Sequence, residues 1–322
     1  MNSLPRTFVL ATIFTCGAAL AQDSKFPTKP IRFIVASQPG GIADLTPRLL
    51  APRLQEGLGQ PIVIENRPGG GVVGGGETVA KASPDGYTLL SATPQVAIVQ
   101  SMVKDLSFDP RRDLAPVSLV GVIPNLLMVE PNRPQKTLVE LVAFARANPG
   151  KLNYSSTGAG TAVHLSAELF KYYAGINVVH VPFKGAAAAM TALMAGTVDM
   201  TVDTLSSAIS HIRSGKIRPL AVFSAQRTTT LPEVPTMIES GYKDLEMSAW
   251  GGVVTTGKTP PEIIARIDTE IRKALAHQPT AASYDKVGVS VRYMGASEFG
   301  KFWDTEIARF ALAIKASGAA KD

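Results

Sequence analysis

Short apolar runs alternate with stretches of helical periodicity, and this alternation limits the folds open to the chain more than any other feature. The apolar run Ile31–Val35 is followed by a glycine-containing loop and then by leucines at helical spacing. Ile62–Ile64 and Tyr87–Leu90 repeat the apolar run, with a helical stretch near Glu77–Ala82 between them. Strand–helix–strand units of this length favour right-handed parallel connections with helices on the sheet faces. The sequence therefore predicts the α/β class.

The same alternation restarts near residue 124, which predicts a second lobe. A chain of 322 residues exceeds the size at which single cores tend to divide. We expect lobe 1 to comprise residues 22–123 plus 225–322 and lobe 2 to comprise residues 124–224, with hinges near Gly121–Asn125 and Val222–Ala225. The expected second-lobe strands are Leu126–Val129, Leu152–Tyr154, Val178–Val181, Val198–Val202 and Ile217–Val222, and its helices Leu138–Ala147, Ala162–Tyr173 and Ala186–Met194. Amphipathic helices near Pro261–His277 and Glu298–Ala316 would complete lobe 1.

The first residues have the pattern of a cleaved export signal. Arg6 precedes an apolar run from Thr7 to Leu20 that has no ionised side chain, and a small-x-small pattern ends at Ala21. The run is too short to span a bilayer comfortably. We therefore expect a signal peptide over residues 1–21, cleavage after Ala21 and a periplasmic mature protein. The only cysteine, Cys16, lies in this leader, so the mature chain has no thiol for a disulfide, a nucleophile or a metal.

Charge and motif content argue against several classes of function. The net charge of +6 comes from scattered basic residues, and no basic tract alternates with aromatics as in a nucleic-acid surface. The four histidines lack metal-ligand spacing, and no G-x-S-x-G motif is present. Gly69–Gly74 formally matches G-x-G-x-x-G, but Asp85 lies in a turn and not at the strand end where a ribose-binding acid is needed. We therefore expect no catalytic residues, no metal, no cofactor and no nucleic-acid partner.

Two loops that join a strand to a helix are the candidate ligand site. In open α/β sheets ligands bind beyond the carboxyl ends of the strands, where unpaired amides and the helix dipole favour an anion. The candidates in the first loop are Ser37, Gln38, Gly40, Gly41, Ile42 and Asp44. Those in the second loop and its helix are Ser155, Ser156, Gly158, Ala159, Gly160, Thr161 and His164, and Thr93, Lys184 and Asp203 follow neighbouring strands. We expect the backbone amides and neutral hydroxyls among these candidates to hold an anion.

Several candidates have a structural explanation that stays open beside the functional one. Asp44 fits a helix-start acid that complements the dipole. The hydroxyls of Ser155, Ser156 and Thr161 fit helix capping, with or without ligand contact. His164 fits a structural histidine whose hydrogen bonds are satisfied within the protein. Lys184 fits a solvated surface lysine, and Asp203 likewise fits either a solvated surface residue or a residue of the ligand cleft.

A series of short motifs surrounds these loops and extends, in order, from about Phe26 to Gly318. They are Pro27–Arg32, Pro39–Gly41 with Asp44, Glu65–Gly69, Pro84–Tyr87, Asn148–Tyr154, Gly160–Thr161 with His164–Leu165, His180–Gly185, Leu231–Thr236 and Trp250. With these motifs the chain resembles the substrate-binding proteins of tripartite tricarboxylate transporters, also called Bug or TctC-like proteins.

The resemblance implies a two-lobed, periplasmic-binding-protein-like α/β fold with a mostly parallel sheet in each lobe and a ligand cleft between them. It also implies capture of a small carboxylate and delivery to integral-membrane permease subunits, and we expect a monomer. Two alternatives remain: the same binding used to signal to a sensor kinase, and an exported enzyme that processes carboxylates. The family usually has proline and an aromatic residue where this chain has Ala36, Ser37 and Gln38, so a different or larger ligand is expected.

Overall fold

The computed structural model describes residues 26–39 and 42–318. The expected signal peptide and its cleavage site lie outside this range, as do Gly40 and Gly41. The strands are β1 Ile31–Val35, β2 Ile62–Asn66, β3 Thr88–Ala92, β4 Leu114–Val129, β5 Asn153–Ser156, β6 Val179–Pro182, β7 Met200–Thr204, β8 Arg218–Val222, β9 Ser248–Thr256 and β10 Ser290–Gly295. The helices are α1 Ile42–Leu58, α2 Gly71–Ala80, α3 Pro94–Met102, α4 Pro110–Asp113, α5 Leu138–Ala147, α6 Ala162–Ala174, α7 Ala186–Met194, α8 Leu205–Arg213, α9 Pro261–Ala276, α10 Gln278–Lys286 and α11 Ala296–Ser317.

The strands of the described residues form one mixed sheet in the order β2-β1-β3-β9-β4-β7-β5-β6, with β8 and β10 also paired to β4. Strands β1, β2 and β3 pair in parallel, and so do β5, β6 and β7. The pairs that β4 makes with β7, β8, β9 and β10 are antiparallel, as is the pair of β3 with β9. The predicted two-lobed α/β fold is confirmed, and each parallel set is joined to the other through antiparallel strands.

Strand β4 runs through both halves of the sheet and changes its partners midway. Pro124 pairs with Ser248 of β9, whereas the next residue, Asn125, pairs with Thr204 of β7. This change of partner coincides with the first expected hinge. The lobe limits themselves stay a prediction.

The second connection between the halves is longer than the sequence predicts. The Val222 amide donates to Pro235 O at 2.9 Å, and the Met237 amide donates to Val222 O at 2.8 Å, which keeps this segment on the second half of the sheet. The Met247 amide then donates to Phe223 O at 2.7 Å, directly before β9. These contacts favour a second crossing near Met247, later than the expected Val222–Ala225.

The strand directions bring the carboxyl ends of both parallel sets to the same junction. Because β3 and β4 are each antiparallel to β9, β4 runs in the same direction as β1, β2 and β3. Because β7 is antiparallel to β4, the strands β5, β6 and β7 run the opposite way, back toward the first half. The ends of β1 and β3 therefore face the ends of β5 and β7 across the middle of β4.

The register gives the width of this junction. Ala92, the last residue of β3, is level with Gly252 of β9 and hence with Leu119 of β4. Thr204, the last residue of β7, is level with Asn125 of β4. At the rise of a β-strand, the path from Leu119 to Asn125 is about 20 Å long. The loops that carry the candidate residues project into this space.

Two hydrophobic clusters cover the two faces of the sheet, and each continues through both lobes. Along β4, Leu127 and Val129 belong to one cluster and Leu126 and Met128 to the other, as expected for side chains that alternate between faces. The first cluster includes residues of α2, α3, α5, α6 and α11, and the second includes residues of α1, α7, α8, α9 and α10. The lobes therefore share their cores through the central strands.

Candidate functional site

The first loop lies between the end of β1 and the start of α1. Ser37 is partly buried, its hydroxyl donates to Gln38 O at 3.1 Å, and its carbonyl accepts from Asn66 Nδ2 at 3.3 Å. Gln38 is exposed, and Ile42 begins the helix. Gly40 and Gly41 lie outside the described residues, so their role in the site stays a prediction.

Asp44 lies in the first turn of α1 and is 3% exposed. Its carboxylate accepts from Arg48 Nε at 2.9 and 3.0 Å and from Asn66 Nδ2 at 2.8 Å. Arg48 Nη2 also donates to Asn66 Oδ1 at 2.8 Å, which closes the network. Asn66 ends β2 and bonds the Ser37 carbonyl, so Asp44 helps to position the first loop. Direct contact of Asp44 with a ligand stays a prediction.

Thr93 follows β3 and precedes α3. It is the N-cap residue of α3, with extended backbone, and its side chain makes no capping hydrogen bond. Ile34 of β1 is level with Leu90 of β3, so the same register continued past the strand ends places Thr93 beside Ser37. The two candidates therefore lie at the same end of adjacent strands.

The second loop is held in shape by its own hydroxyls. Thr161 caps α6: its hydroxyl accepts from the His164 amide at 3.3 Å and donates to Gly158 O at 2.8 Å. Gly158 and Gly160 have φ of 136° and 75°, in the region that favours glycine. Thr157 Oγ1 donates to Thr161 Oγ1 at 3.2 Å. Because the Thr161 proton goes to Gly158, this hydroxyl shapes the loop and is not a free donor.

Free donors at this loop come from the backbone at the start of α6. The first amides of a helix have no partner within the helix. Those of His164 and Leu165 are satisfied by the side chain and the carbonyl of Thr161. The amides of Ala162 and Val163 have no acceptor among the described residues. Two backbone donors and the positive end of the helix therefore point out of the loop, beside the exposed Ala159.

Ser155 and Ser156 are both fully buried, and their hydroxyls are used inside the protein. Ser155 Oγ donates to Thr201 Oγ1 of β7 at 2.8 Å. Ser156 Oγ lies 2.7 Å from His180 Nε2 and accepts from the Gly158 amide at 3.2 Å. Both side chains therefore support the loop from below, which favours their structural interpretation.

His164 supports the same loop from within α6. It is 4% exposed, and its Nδ1 accepts from the Gly160 amide at 3.2 Å. The His164 and His180 ring centroids lie 4.1 Å apart. Burial lowers the pKa of His164, and burial together with the neighbouring His164 lowers the pKa of His180 to about 4. Both imidazoles are therefore neutral at neutral pH, and His164 acts as a support for the loop.

A buried acid completes this support. The Glu168 carboxylate lies 4.0 Å from His164 Nε2, accepts a hydrogen bond from the Tyr154 hydroxyl, and pairs with Lys171 at 2.6 Å. Burial and the adjacent Glu168 raise the pKa of Tyr154, so its hydroxyl stays protonated. The positive charge of Lys171 is thus neutralised by Glu168.

Lys184 and Asp203 differ in their surroundings. Lys184 is exposed, just before α7, and makes no ion pair with a described residue. Asp203 is 2% exposed at the end of β7. Lys184 thus fits a solvated lysine, whereas Asp203 is a buried charge at the edge of the junction.

The lobes touch on both sides of the junction. A Cβ on Gly160 would lie 2.8 Å from Met102 Cε of α3, so the second loop packs against a helix of the first half. On the opposite face a Cβ on Gly288 would lie 3.0 Å from Ser206 Cβ of α8. The second loop therefore lies at the lobe interface.

Four residues that help to shape the loops were not among the sequence candidates. Asn66 and Arg48 hold the first loop, and His180 and Glu168 hold the second. Gly160, His164 and Glu168 follow each other at intervals of four residues, about one helical turn. This spacing could have predicted that the three lie on one side of α6. The contacts of Asn66 and His180 join distant parts of the chain and leave no local pattern.

No group of three or more histidine, cysteine, aspartate or glutamate side chains within residues 26–39 and 42–318 is arranged to hold a metal ion. In the same part of the chain, no helix combines the length and apolar character needed to cross a membrane.

The two lobes share one sheet, and strand ends and unpaired helix amides meet at their junction. This arrangement is typical of the class of two-lobed solute-binding proteins. The model of the family described as "Tripartite tricarboxylate transporter family receptor" matches residues 46–319. The protein BugT of Bordetella pertussis is 34% identical over 322 residues, which cover 98% of this chain and 99% of BugT. The chain therefore belongs to the tripartite tricarboxylate transporter receptor family, whose members are solute-binding receptors and not enzymes.

Two solved structures of similar proteins contain a ligand. Rpa4515 of R. palustris, with adipate, is 32% identical with a TM-score of 0.74, and the match covers 91% of this chain and 98% of that one. MatC of Rhodopseudomonas palustris, with bound malate, is 28% identical with a TM-score of 0.71, and the match covers 90% of this chain and 100% of that one.

Proposed function

We propose that this chain captures a small organic carboxylate at the junction of its lobes and delivers it to the integral-membrane permease subunits of a tripartite tricarboxylate-type transporter. One observation carries the proposal: the carboxyl ends of the two parallel strand sets face each other across β4. At this place the amides of Ala162 and Val163, at the start of α6, are unpaired. Such amides and the helix dipole favour an anion.

The strength of binding needs no arginine in the site. A hydrogen bond to a charged group contributes about 1.5–3 kcal/mol, so three or four of them give micromolar affinity. We assign two to the α6 amides and the remainder to the first loop from Ser37 to Ile42 and to Thr93. Closure of the lobes about β4 and the segment near Met247 would bring these donors onto the ligand.

The bound ligands of similar proteins support the carboxylate class. Adipate in Rpa4515 and malate in MatC are both dicarboxylates. The polar Ser37-Gln38 sequence of this chain departs from the usual family pattern, so neither acid is assigned as its ligand. We further propose export through the leader of residues 1–21, a periplasmic location and a monomeric receptor.

Calorimetric titration of the purified protein with mono-, di-, tri- and aromatic carboxylates tests the proposal. At least one acid is expected to bind with a dissociation constant in the micromolar range or tighter. Thr161→Val should weaken that binding by about 1–2 kcal/mol, because the loop loses its cap and its anchor on Gly158. Thr161→Ser keeps both hydrogen bonds and is the matched control. Absence of binding across the panel would refute the proposal.

Two further readouts separate the alternatives. Recovery of the bound acid chemically unchanged supports a receptor, and its conversion would indicate an enzyme. Uptake of that acid should stop in a strain that lacks the permease, whereas a purely signalling role predicts unchanged uptake.

A further inference from the structure

Asp203 lies beside the second loop, near the end of β7, and Thr201, the other polar side chain on the same face of that strand, is already used. Ser155 of β5 is level with Thr201 of β7, so the same register continued past Ser156 places Asp203 beside Thr157. Asp203 projects from the same face of β7 as Thr201, whose hydroxyl is bonded to Ser155. Asp203 therefore lies at the junction-facing end of its strand.

One oxygen of this carboxyl group has no partner. Asp203 Oδ1 accepts from the Thr204 amide at 2.7 Å and from Thr204 Oγ1 at 3.5 Å. Asp203 Oδ2 is buried and has no hydrogen-bond partner among the described residues. The Ser207 hydroxyl lies near this carboxyl group and acts to lower its pKa, but it donates to Thr204 O at 2.8 Å and forms no hydrogen bond with Oδ2.

The surroundings of Asp203 also lack a compensating cation. Asp203 forms no ion pair with a described residue, and two cations of this lobe, Lys171 and Arg133, are paired with Glu168 and Asp199. Burial raises the pKa of Asp203, while the amide of Thr204 and the hydroxyls of Ser207 and Thr204 act against that shift. The start of α8, immediately after Thr204, further favours the ionised form. A buried carboxylate oxygen without a donor is costly, and a donor from outside the protein would remove that cost.

We propose that Asp203 Oδ2 accepts a hydrogen bond from a hydroxyl or ammonium group of the bound solute, so that the receptor selects carboxylates that carry such a donor. This inference rests on the proposed function, because it places the solute carboxylate at the start of α6. Asp203 is then a specificity residue: it repels an unsubstituted diacid and accepts a hydroxy acid or amino acid.

Titration with matched acids tests the inference: succinate against malate and aspartate, propionate against lactate, and benzoate against 4-hydroxybenzoate. In the wild-type protein, at least one donor-bearing acid should bind about tenfold or more tightly than its unsubstituted partner. Asp203→Asn should reduce that ratio to about threefold or less, since the amide group at the Oδ2 position cannot accept. Asp244→Asn, which removes one charge at an exposed site, should leave the ratio unchanged.

The ratio compares two ligands on one protein, so it is independent of how much Asp203→Asn destabilises the fold. Equal affinity for both members of every pair, or an unchanged ratio in Asp203→Asn, would overturn the inference and leave the proposed function intact. Unchanged ratios would mean that Oδ2 is protonated or satisfied by an ordered water. Failure of all these acids to bind would count against the proposed function itself.

Discussion

His164 and His180 show how single residues fix the geometry of the second loop through hydrogen bonds. His164 Nδ1 accepts from the Gly160 amide, so its proton is on Nε2, facing Glu168. His180 Nε2 bonds to Ser156, which in turn accepts from Gly158. The two imidazoles, whose rings are tilted by 31° to each other, thus fix Gly158 and Gly160 of the loop. This arrangement requires both rings to stay neutral.

The pKa of His180 makes the stability of the protein dependent on pH. Its folded value is about 4, below the unfolded value of about 6.5. Between these values the unfolded chain binds a proton that the folded chain does not, so stability is complete above about pH 6.5 and falls as the pH approaches 4. Between pH 8 and pH 5 these values give an upper bound of about 2 kcal/mol for the loss, because His180 is only partly buried and solvent screens its interactions. Urea unfolding at pH 8 and pH 5 measures it.

Two variants make that prediction specific. His180→Gln should show a smaller difference in unfolding free energy between pH 8 and pH 5 than the wild type. His211→Gln, which changes a histidine outside the cluster, should keep the wild-type difference. A wild-type difference in His180→Gln would show that another group causes the acid sensitivity.

At the scale of secondary-structure elements, α2 positions the first loop by close packing of its glycines. A Cβ on Gly75 would lie 2.5 Å from Ala36 Cβ, and one on Gly76 would lie 2.4 Å from Phe108 Cζ. The glycines of this region therefore let a helix approach the loop after β1. This is a packing role and gives a structural account of the glycine-rich stretch.

Gly75→Ala tests this packing role. Alanine usually stabilises a helix interior relative to glycine by roughly 0.5–1 kcal/mol. Here we expect a loss of about 1–3 kcal/mol from overpacking, together with weaker ligand binding because the loop at Ala36 must move. Gly300 lies inside α11 with its nearest neighbour at 3.9 Å, so Gly300→Ala should stabilise the protein and serves as the control. Thermal or urea unfolding would contradict the account if both variants were stabilised.

The sequence predicts best those helices and strands that have a recognisable sequence signal at each end. Helices α5 and α7 have the predicted bounds, and α6 extends one residue beyond its predicted end, up to the left-handed Gly175. The expected strand Val198–Val202 lies two residues further along as β7. Local patterning thus locates the loops that carry the candidate site.

The part of β4 before Leu126 and the whole of β9 were missed because their residues normally argue against a strand. That part of β4 contains Pro116 and Pro124, and β9 contains Gly251 and Gly252. Register shifts between β4 and β9 occur near Pro116 and near Leu119. A Cβ on Gly251 would lie 2.4 Å from Thr46 Oγ1, so close packing and not strand propensity selects glycine there. A short stretch of sequence shows neither the register shifts nor the close packing at Gly251.

At the scale of the whole molecule, the second crossing between the lobes is tied to the long helix α11. Trp250 of β9 donates to Glu306 Oε2 at 3.0 Å, and Arg309 donates to Glu306 Oε1 at 2.7 Å and to Glu246 O at 2.5 Å. Burial raises the pKa of Glu306 to about 7. The segment before β9 is therefore anchored to a helix that also belongs to the core shared by both lobes. Movement of the lobes must take place about this anchor.

The account as a whole depends on where the ligand lies between the lobes. We propose an anion at the junction because the amides of Ala162 and Val163 are unpaired there and the ends of β3 and β7 are opposed. The large groove beside Leu138 and Pro235, of about 570 Å³, lies on the second lobe away from these loops and is the competing location.

A crystal structure of the protein with its tightest-binding carboxylate is the most direct measurement. The account predicts a carboxylate oxygen at about 2.7–3.2 Å from the amide nitrogen of Ala162 or Val163, with the first loop on the opposite side of the ligand. A ligand bound in the groove beside Leu138, or one held at the junction without contact to either amide, would contradict it.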